Sequence, residues 1–209
     1  MTEDLALVYV VDDDESVRTA LRRLLRSAGF AVEAFASAAD FLEFARPDRP
    51  ACLVLDLRMP HMGGVELQQV LTAAGDGLPI VFLTGHGDVP MSVRAMKAGA
   101  VDFLQKPVDD ADLLDAVQRA IAADRARREE AAEVSVIRAR HDSLTPRERE
   151  VLTHLVTGAL NKQIAGTLGT VEKTIKVHRA RVLAKMGAGS IAELVRLAGR
   201  IGIEGPQEP

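Results

Sequence analysis

The chain has 209 residues, room for one or two compact domains, and carries 26 Lys and Arg against 30 Asp and Glu for a net charge of −4. A single cysteine excludes an internal disulfide and fits a reducing, cytoplasmic setting, and five histidines without metal-ligand spacing argue against a structural zinc site. No apolar run approaches the roughly 18 residues of a membrane span, and the first residues lack the basic-then-apolar pattern of a secretory leader.

Up to about residue 124, short apolar runs at 5–11, 30–35, 51–56, 79–84 and 101–105 read as strands. Between them, helical periodicity covers about 15–28, 38–46, 64–74, 88–99 and 110–124. Gly29, Gly75, Gly77 and Gly99 stand where those helices should stop. Five strands alternating with five helices predict a parallel, doubly wound α/β sheet.

From Asp110 to Arg140 there is no Gly or Pro, and Ala, Arg, Glu and Leu dominate. The last helix of the first domain (residues 1–124) is therefore expected to run on through a helical linker at 125–142. Its apolar positions past Ile121 are mostly Ala, which suits a solvated charged spacer better than a coiled coil. A small all-α domain follows at 143–203, with helices at about 146–157, 162–168, 171–186 and 191–201. "TPRE" (Thr145 to Glu148) and "SIAE" (Ser190 to Glu193) read as capping boxes. The tail at 204–209 is expected to be disordered.

Charge divides along the same lines. Residues 1–124 carry 11 basic and 20 acidic side chains, a balance of −9, whereas residues 143–209 carry 10 and 6, a balance of +4. The C-terminal piece is the one suited to a polyanion. Tyr9 and every Phe lie at or before Phe103, so that piece offers no stacking platform for single-stranded nucleic acid.

Asp12, Asp13 and Asp14 crowd the end of the first apolar run, and Asp56 ends the third. In an open parallel sheet, ligands bind beyond the carboxyl ends of strands where the strand order reverses. With order 2-1-3-4-5, strands one and three are neighbours, and Asp12, Asp13 and Asp56 converge. Such crowding suits a hard divalent cation, Mg²⁺ or Mn²⁺. Thr84 ends the fourth strand and Lys106 follows the fifth. Carboxylates, a cation, a hydroxyl and an ammonium around Asp56 suit phosphoryl transfer to that carboxylate. Asp14 or Glu15 is expected only to cap the following helix.

"VVDDD", "LVLDLRMPHMGG" and "LTGHGDVPMSVRAMKAGAVDFLQKP" resemble the landmarks of bacterial response-regulator receiver domains, and "GHGDVPM" and "AMKAGAVDFL" resemble their FixJ branch. The resemblance implies a flavodoxin-like receiver with Asp56 as phosphoacceptor. It assigns Asp12, Asp13, Asp56 and the Arg58 backbone carbonyl to the metal. Thr84 and Phe103 match the family's switch pair, Lys106–Pro107 its cis peptide, and Arg58 and His86 positions that tune dephosphorylation. An implied sensor histidine kinase donates the phosphoryl group, and dimerisation follows.

"NKQIAGTLGTVEKTIKVHRARVLAKM" reads as helix, tight turn at Gly169, helix. On a helical wheel Val171, Ile175, Val182 and Met186 form one apolar stripe. Lys173, Lys176, Val177 and Ala180 face away from it, with Thr174 and Arg181 on one flank, which suits major-groove entry. Arg179 lies beside the stripe and is assigned to phosphate contact or packing, and Lys185, lower on the helix, is expected to meet phosphate only, if it meets DNA at all. "LTPREREVL", "NKQIA", "KTIKVHRARVLAKM" and "SIAELVRLA" resemble the LuxR/NarL-type DNA-binding domain, which implies double-stranded DNA, RNA polymerase and a second copy of the chain as partners. The Ser that usually caps that family's recognition helix is Val171 here, leaving Thr170 as a candidate cap one residue earlier.

The expected function is a phosphorylation-switched transcription factor rather than a dedicated enzyme. An Asp-nucleophile phosphatase would want a second Asp two residues after the nucleophile, where Arg58 stands. A regulator with a vestigial receiver would not need the full acidic set.

Overall fold

The computed structural model describes residues 5–85, 89–203 and 205. His86 and, apart from Gly205, the expected tail lie outside the described residues. Contacts divide the chain into two units, Met1–Arg128 and Glu129–Pro209.

The first unit runs β1 (Leu7–Val11), α1 (Glu15–Ser27), β2 (Ala31–Phe35), α2 (Ala38–Glu43), β3 (Ala51–Asp56), α3 (Gly64–Ala73), β4 (Ile80–Thr84), α4 (Val89–Lys97) and β5 (Asp102–Gln105), then enters α5 (Asp110–Asp142). The strands are parallel, in the order β2-β1-β3-β4-β5. Every residue of β1, β3 and β4 is buried. Helices on both faces require this, and it is why these strands read as unbroken apolar runs.

Successive side chains point to opposite faces. Tyr9, Leu53, Leu55 and Phe82 join Phe41 of α2, Leu67 and Leu71 of α3 and Ala95 of α4. Val8, Val10, Val54 and Leu83 join Leu21 and Leu25 of α1 and Leu113, Val117 and Ile121 of α5. Each large apolar side chain buried this way contributes about 1.5–3 kcal/mol. The two layers thus fix the register that aligns the strand ends, with Val11 beside Leu55, Asp56 beside Leu83 and Thr84 beside Gln105. Helix α2 stops three residues short of its sequence-based limit, because Phe44 turns extended (φ −72°, ψ 126°) and puts its ring against Tyr9 and Phe35.

The second unit takes the end of α5 and adds α6 (Pro146–Leu155), α7 (Asn161–Thr167), α8 (Glu172–Met186) and α9 (Ile191–Arg200). The segment expected as a solvated spacer has more to do than that. Ile137 is buried with Val151, Leu152, Ile164, Ile175, Val182 and Leu194. Arg200 donates to Glu130 and Glu133 at 2.6 and 2.8 Å. Val134, Val136 and Ile137 lie within four residues, but only Ile137 is buried, and so short a cluster does not reveal a packed face by periodicity.

Both halves of the Thr145–Glu148 capping box form. The second is half formed: Ser190 accepts from the Glu193 amide, but the Glu193 carboxylate takes the Gly189 N–H instead. Helix α8 begins at Glu172 with Val171 as its N-cap, and no side chain caps it. Thr170 therefore does not take over, and the helix start is not shifted.

Candidate functional sites

Asp12 and Asp56 emerge at neighbouring strand ends and are almost wholly buried, at 1% and 6% exposure, while Asp13 is exposed. One carboxylate oxygen from each of Asp12, Asp13 and Asp56 fits within 4.8 Å of the others. Lys106 reaches in from the loop after β5 and donates to Asp12 Oδ2 at 2.6 Å and to Asp56 Oδ1 at 2.7 Å. Asp12 also accepts from the Asp14 amide at 2.9 Å. Asp14 stands apart from the cluster and caps α1, accepting from Ser16 N and Ser16 Oγ at 2.7 and 2.6 Å.

Burial raises the Asp56 carboxyl above its usual range, and Lys106 offsets this only in part while Asp12 adds to it. Burial also works against the Lys106 charge, but its hydrogen bonds to Asp12 and Asp56 prevail and hold its pKa above normal. The site thus keeps an ammonium locked between two carboxylates. Three hard oxygen donors around excess negative charge fit a divalent cation.

Thr84 is buried at the end of β4, its hydroxyl donating to the Gly85 carbonyl at 3.0 Å. Its own carbonyl accepts from the Lys106 amide at 2.7 Å, which ties the two loops together. Phe103 is half-buried, with its ring 6.4 Å from that of Phe82. Lys106–Pro107 is cis. Arg58 is exposed, and its backbone N–H donates to the Asp56 carboxylate.

Gly64 is a residue the sequence reading passed over, although it lies inside a quoted motif. A Cβ there would stand 2.5 Å from the Asp56 carbonyl oxygen and 2.9 Å from the Phe82 ring. Only glycine lets α3 begin so close beneath the strand that ends in Asp56. The second glycine of "MGG" was the available signal.

On α8, Ile175, Val182 and Met186 are fully buried, as the wheel predicts, but Val171 is not: it is 65% exposed. As N-cap it precedes the first helical turn, so the wheel does not apply to it. Lys173, Lys176, Val177, Ala180 and Arg181 are exposed and Thr174 is half-exposed. Arg179 is partly buried and turns toward α7, its Nη1 3.5 Å from Asn161 Oδ1. Lys185, expected to meet DNA phosphate if it meets DNA at all, is engaged internally: it donates to Glu148 Oε2 at 2.7 Å and to the Ser143 carbonyl at 3.1 Å. This pair and the Thr145 amide depress the Glu148 pKa to about 2.

A parallel 2-1-3-4-5 sheet with an acidic cluster at its carboxyl edge, followed by a helical unit with a basic outward helix, defines a response regulator. The response regulator receiver domain profile matches residues 8–118, and that of the luxR family of bacterial regulatory proteins matches residues 142–198. Nodulation protein W of Bradyrhizobium diazoefficiens is 48% identical over 198 residues, 95% of this chain and 87% of that protein. Transcriptional regulatory protein FixJ of Rhizobium meliloti is 48% identical over 191 residues, covering 91% and 94%. Among solved structures, response regulator StyR superimposes with a TM-score of 0.82 at 52% identity, covering 94% of this chain and 99% of that one. Full-length FixJ from B. japonicum gives 0.56 at 44% identity, covering 94% and 97%. The chain belongs to the response-regulator family that joins a receiver to a LuxR-type DNA-binding domain, and it is a FixJ-like transcriptional regulator. No helix among the described residues is long and apolar enough to cross a membrane.

Proposed function

We propose that this regulator is switched by phosphorylation of Asp56. The observation that carries the reading is Lys106 bridging Asp12 and Asp56 at 2.6 and 2.7 Å inside the carboxylate cluster. A receiver domain implies a histidine kinase as partner. An Asp56 carboxylate oxygen attacks the phosphorus of the kinase's phosphohistidine. The P–O bond forms, the P–N bond breaks, and the electron pair leaves on the imidazole nitrogen. Asp12, Asp13, Asp56 and the Arg58 carbonyl would hold Mg²⁺ or Mn²⁺, which when bound neutralises charge on the phosphoryl oxygens. Lys106 supplies a second positive charge at the same oxygens.

The Thr84 hydroxyl, at the next strand end, then turns toward the phosphoryl group. Phe103 moves inward behind it, which changes the α4–β5–α5 face and promotes homodimerisation. Two copies of α8 then enter paired half-sites of double-stranded DNA. Lys173, Thr174, Lys176, Val177 and Arg181 present the contact face, and Arg179 anchors its edge. The bound dimer acts on RNA polymerase.

Incubation with acetyl phosphate and Mg²⁺, followed by intact-mass measurement, should show one added phosphoryl group, lost with chelator and in Asp56→Ala. Equal labelling of Asp56→Ala would overturn the assignment.

A further inference from the structure

The amino edge of the sheet, opposite the Asp56 edge, holds a second polar constellation that phosphoryl transfer does not use. Tyr9 lies in β1 at 1% exposure, and its ring makes edge contacts with Phe41 and Phe44 at centroid separations of 5.4 and 6.2 Å. A phenylalanine would pack as well there, yet the residue carries a hydroxyl. That hydroxyl is buried and has no hydrogen-bond partner among the described residues. The Nε of Arg49 shares the same condition. Buried polar groups are almost always satisfied, so two orphans in one neighbourhood call for a missing partner.

The surroundings identify what that partner is. Tyr9 lines a cavity of about 230 Å³ together with Arg46, Arg127 and Arg128. Burial holds the Tyr9 hydroxyl protonated, above its usual pKa, with Glu33 adding to this; Arg46, Arg49 and Arg128 stand close enough to act the other way but do not prevail, so the phenol is a donor for an acceptor. Among the described residues, four arginines here meet four acids, Asp48, Asp76 and Asp124 close by and the exposed Glu33 on β2, so the attraction for an anion lies in the free guanidinium N–H groups rather than in net charge. Asp124 is fully buried and already committed: it accepts from the Ala51 amide at 3.0 Å, from Arg127 at 2.5 Å and from Arg128 at 2.7 Å. Arg46 pairs with Asp76, and Arg128 also pairs with Asp48. Each of these contacts engages only part of a guanidinium fork, so N–H donors remain for a further acceptor.

Position is built in as well. Arg127 passes close over Gly77, where a Cβ would stand 2.8 Å from its Cδ and 3.1 Å from its Nε. Arg46 is fixed from the other side, its guanidinium 5.4 Å from the Phe41 ring centroid. Asp76 and Asp48, the ion-pair partners of Arg46 and Arg128, line the same cavity. Such pairs are weak and exchange readily. Guanidinium forks and a phenol together match a planar or tetrahedral oxyanion.

We propose that this cavity binds a small oxyanion, a carboxylate or a phosphate monoester, between Tyr9, Arg46 and Arg128. A neighbouring cavity of about 360 Å³ shares Asp76, Leu78 and Arg127 with it and leaves room for an organic body behind the charged head.

Calorimetric titration of the full-length protein with benzoate and, separately, with inorganic phosphate tests this, using chloride at matched ionic strength as control. Saturable binding of at least one probe is expected, weakened at least tenfold by Tyr9→Phe and by Arg46→Gln. Lys106→Gln, which alters the opposite edge, should retain it. Preference for benzoate or phosphate separates the carboxylate from the phosphate source. Unliganded Tyr9→Phe should unfold at the same temperature as the parent or higher, since it removes an unpartnered hydroxyl. The idea fails if neither probe saturates up to tens of millimolar, if Tyr9→Phe binds as the parent does, or if only Lys106→Gln loses binding. A clear drop in the stability of unliganded Tyr9→Phe would also sink it, by showing that the hydroxyl serves the fold.

Discussion

The two charged regions of this molecule are built on opposite plans. At the carboxyl edge of the sheet, Asp12, Asp56 and Lys106 converge, and each is held by another within 2.7 Å. On α8, Lys173, Lys176 and Arg181 diverge over an exposed helix face and form no ion pair among the described residues. The first arrangement makes the groups interdependent, because desolvated charges interact strongly and a lost partner leaves another uncompensated. The second leaves each side chain screened by water until a polyanion arrives, and its contributions should be separable.

The largest effect is therefore expected at Lys106. Lys106→Ala removes the donor shared by Asp12 and Asp56 and leaves two buried acids facing each other. Phosphorylation by acetyl phosphate should slow by about 100-fold, the scale of losing one preorganised donor to a developing anion. Time-resolved intact-mass measurement checks it. A rate within twofold of the parent would mean the charges at this edge are as independent as those on α8.

The next test works on the other side. Lys176→Ala is expected to cost about 1–3 kcal/mol on a specific duplex and much less on a scrambled one. Affinities on both duplexes over a salt series decide it. Equal losses would reduce Lys176 to a phosphate anchor and would show that the outward face of α8 reads charge alone.

What could be read from the sequence follows the same contrast. The strand order and the Asp12–Asp56–Lys106 edge were legible because each strand end carries its residue immediately after an apolar run, so the topology alone brings them together. The outward face of α8 was legible from a 3.6-residue period. Failures came where a single residue leaves its period. Val171 was placed on the buried stripe because the wheel was extended one residue past the helix start. Ile137 was missed because its neighbour Val136 is exposed and Val134 half-exposed, so the short cluster shows no period. Lys185 looked like a surface cation because its partner, Glu148, is 37 residues away and lies inside a capping box that already explained that glutamate.

Lys185 thus moves from the DNA-contact plan to the converging one, with an effect smaller than that of Lys176 on binding. The Glu148 carboxyl is depressed from 4.5 to about 2, so its stabilisation is full above the unfolded value and is lost as pH falls from 4.5 toward 2. Lys185→Ala should cost roughly 1 kcal/mol at neutral pH, allowing for the partly exposed ammonium, and should flatten the acid limb. Hydrogen-exchange protection of α8 amides in the full chain reports this directly. An unchanged protection pattern together with a lower salt slope for DNA would return Lys185 to the backbone-contact role.

The smallest effect concerns the start of α8. Val171 caps the helix with φ −98° and ψ 150°, a backbone already suited to a capping side chain, yet its isopropyl group accepts nothing. Its exposure means that little packing is lost on replacement. Serine at this position could accept from the Lys173 or Thr174 amide. The Thr174 N–H already reaches the Val171 carbonyl at 3.0 Å, so the gain rests mainly on Lys173. Val171→Ser is therefore expected to stabilise the helix by about 0.5 kcal/mol, the low end of the capping range. Because the cap stays where it is, the outward residues keep their angular positions and base preference should not change. Protection of the first-turn amides of α8 should rise while selected half-sites remain those of the parent. An altered base preference would mean that the helix start, and with it the diverging face, is set by the cap after all.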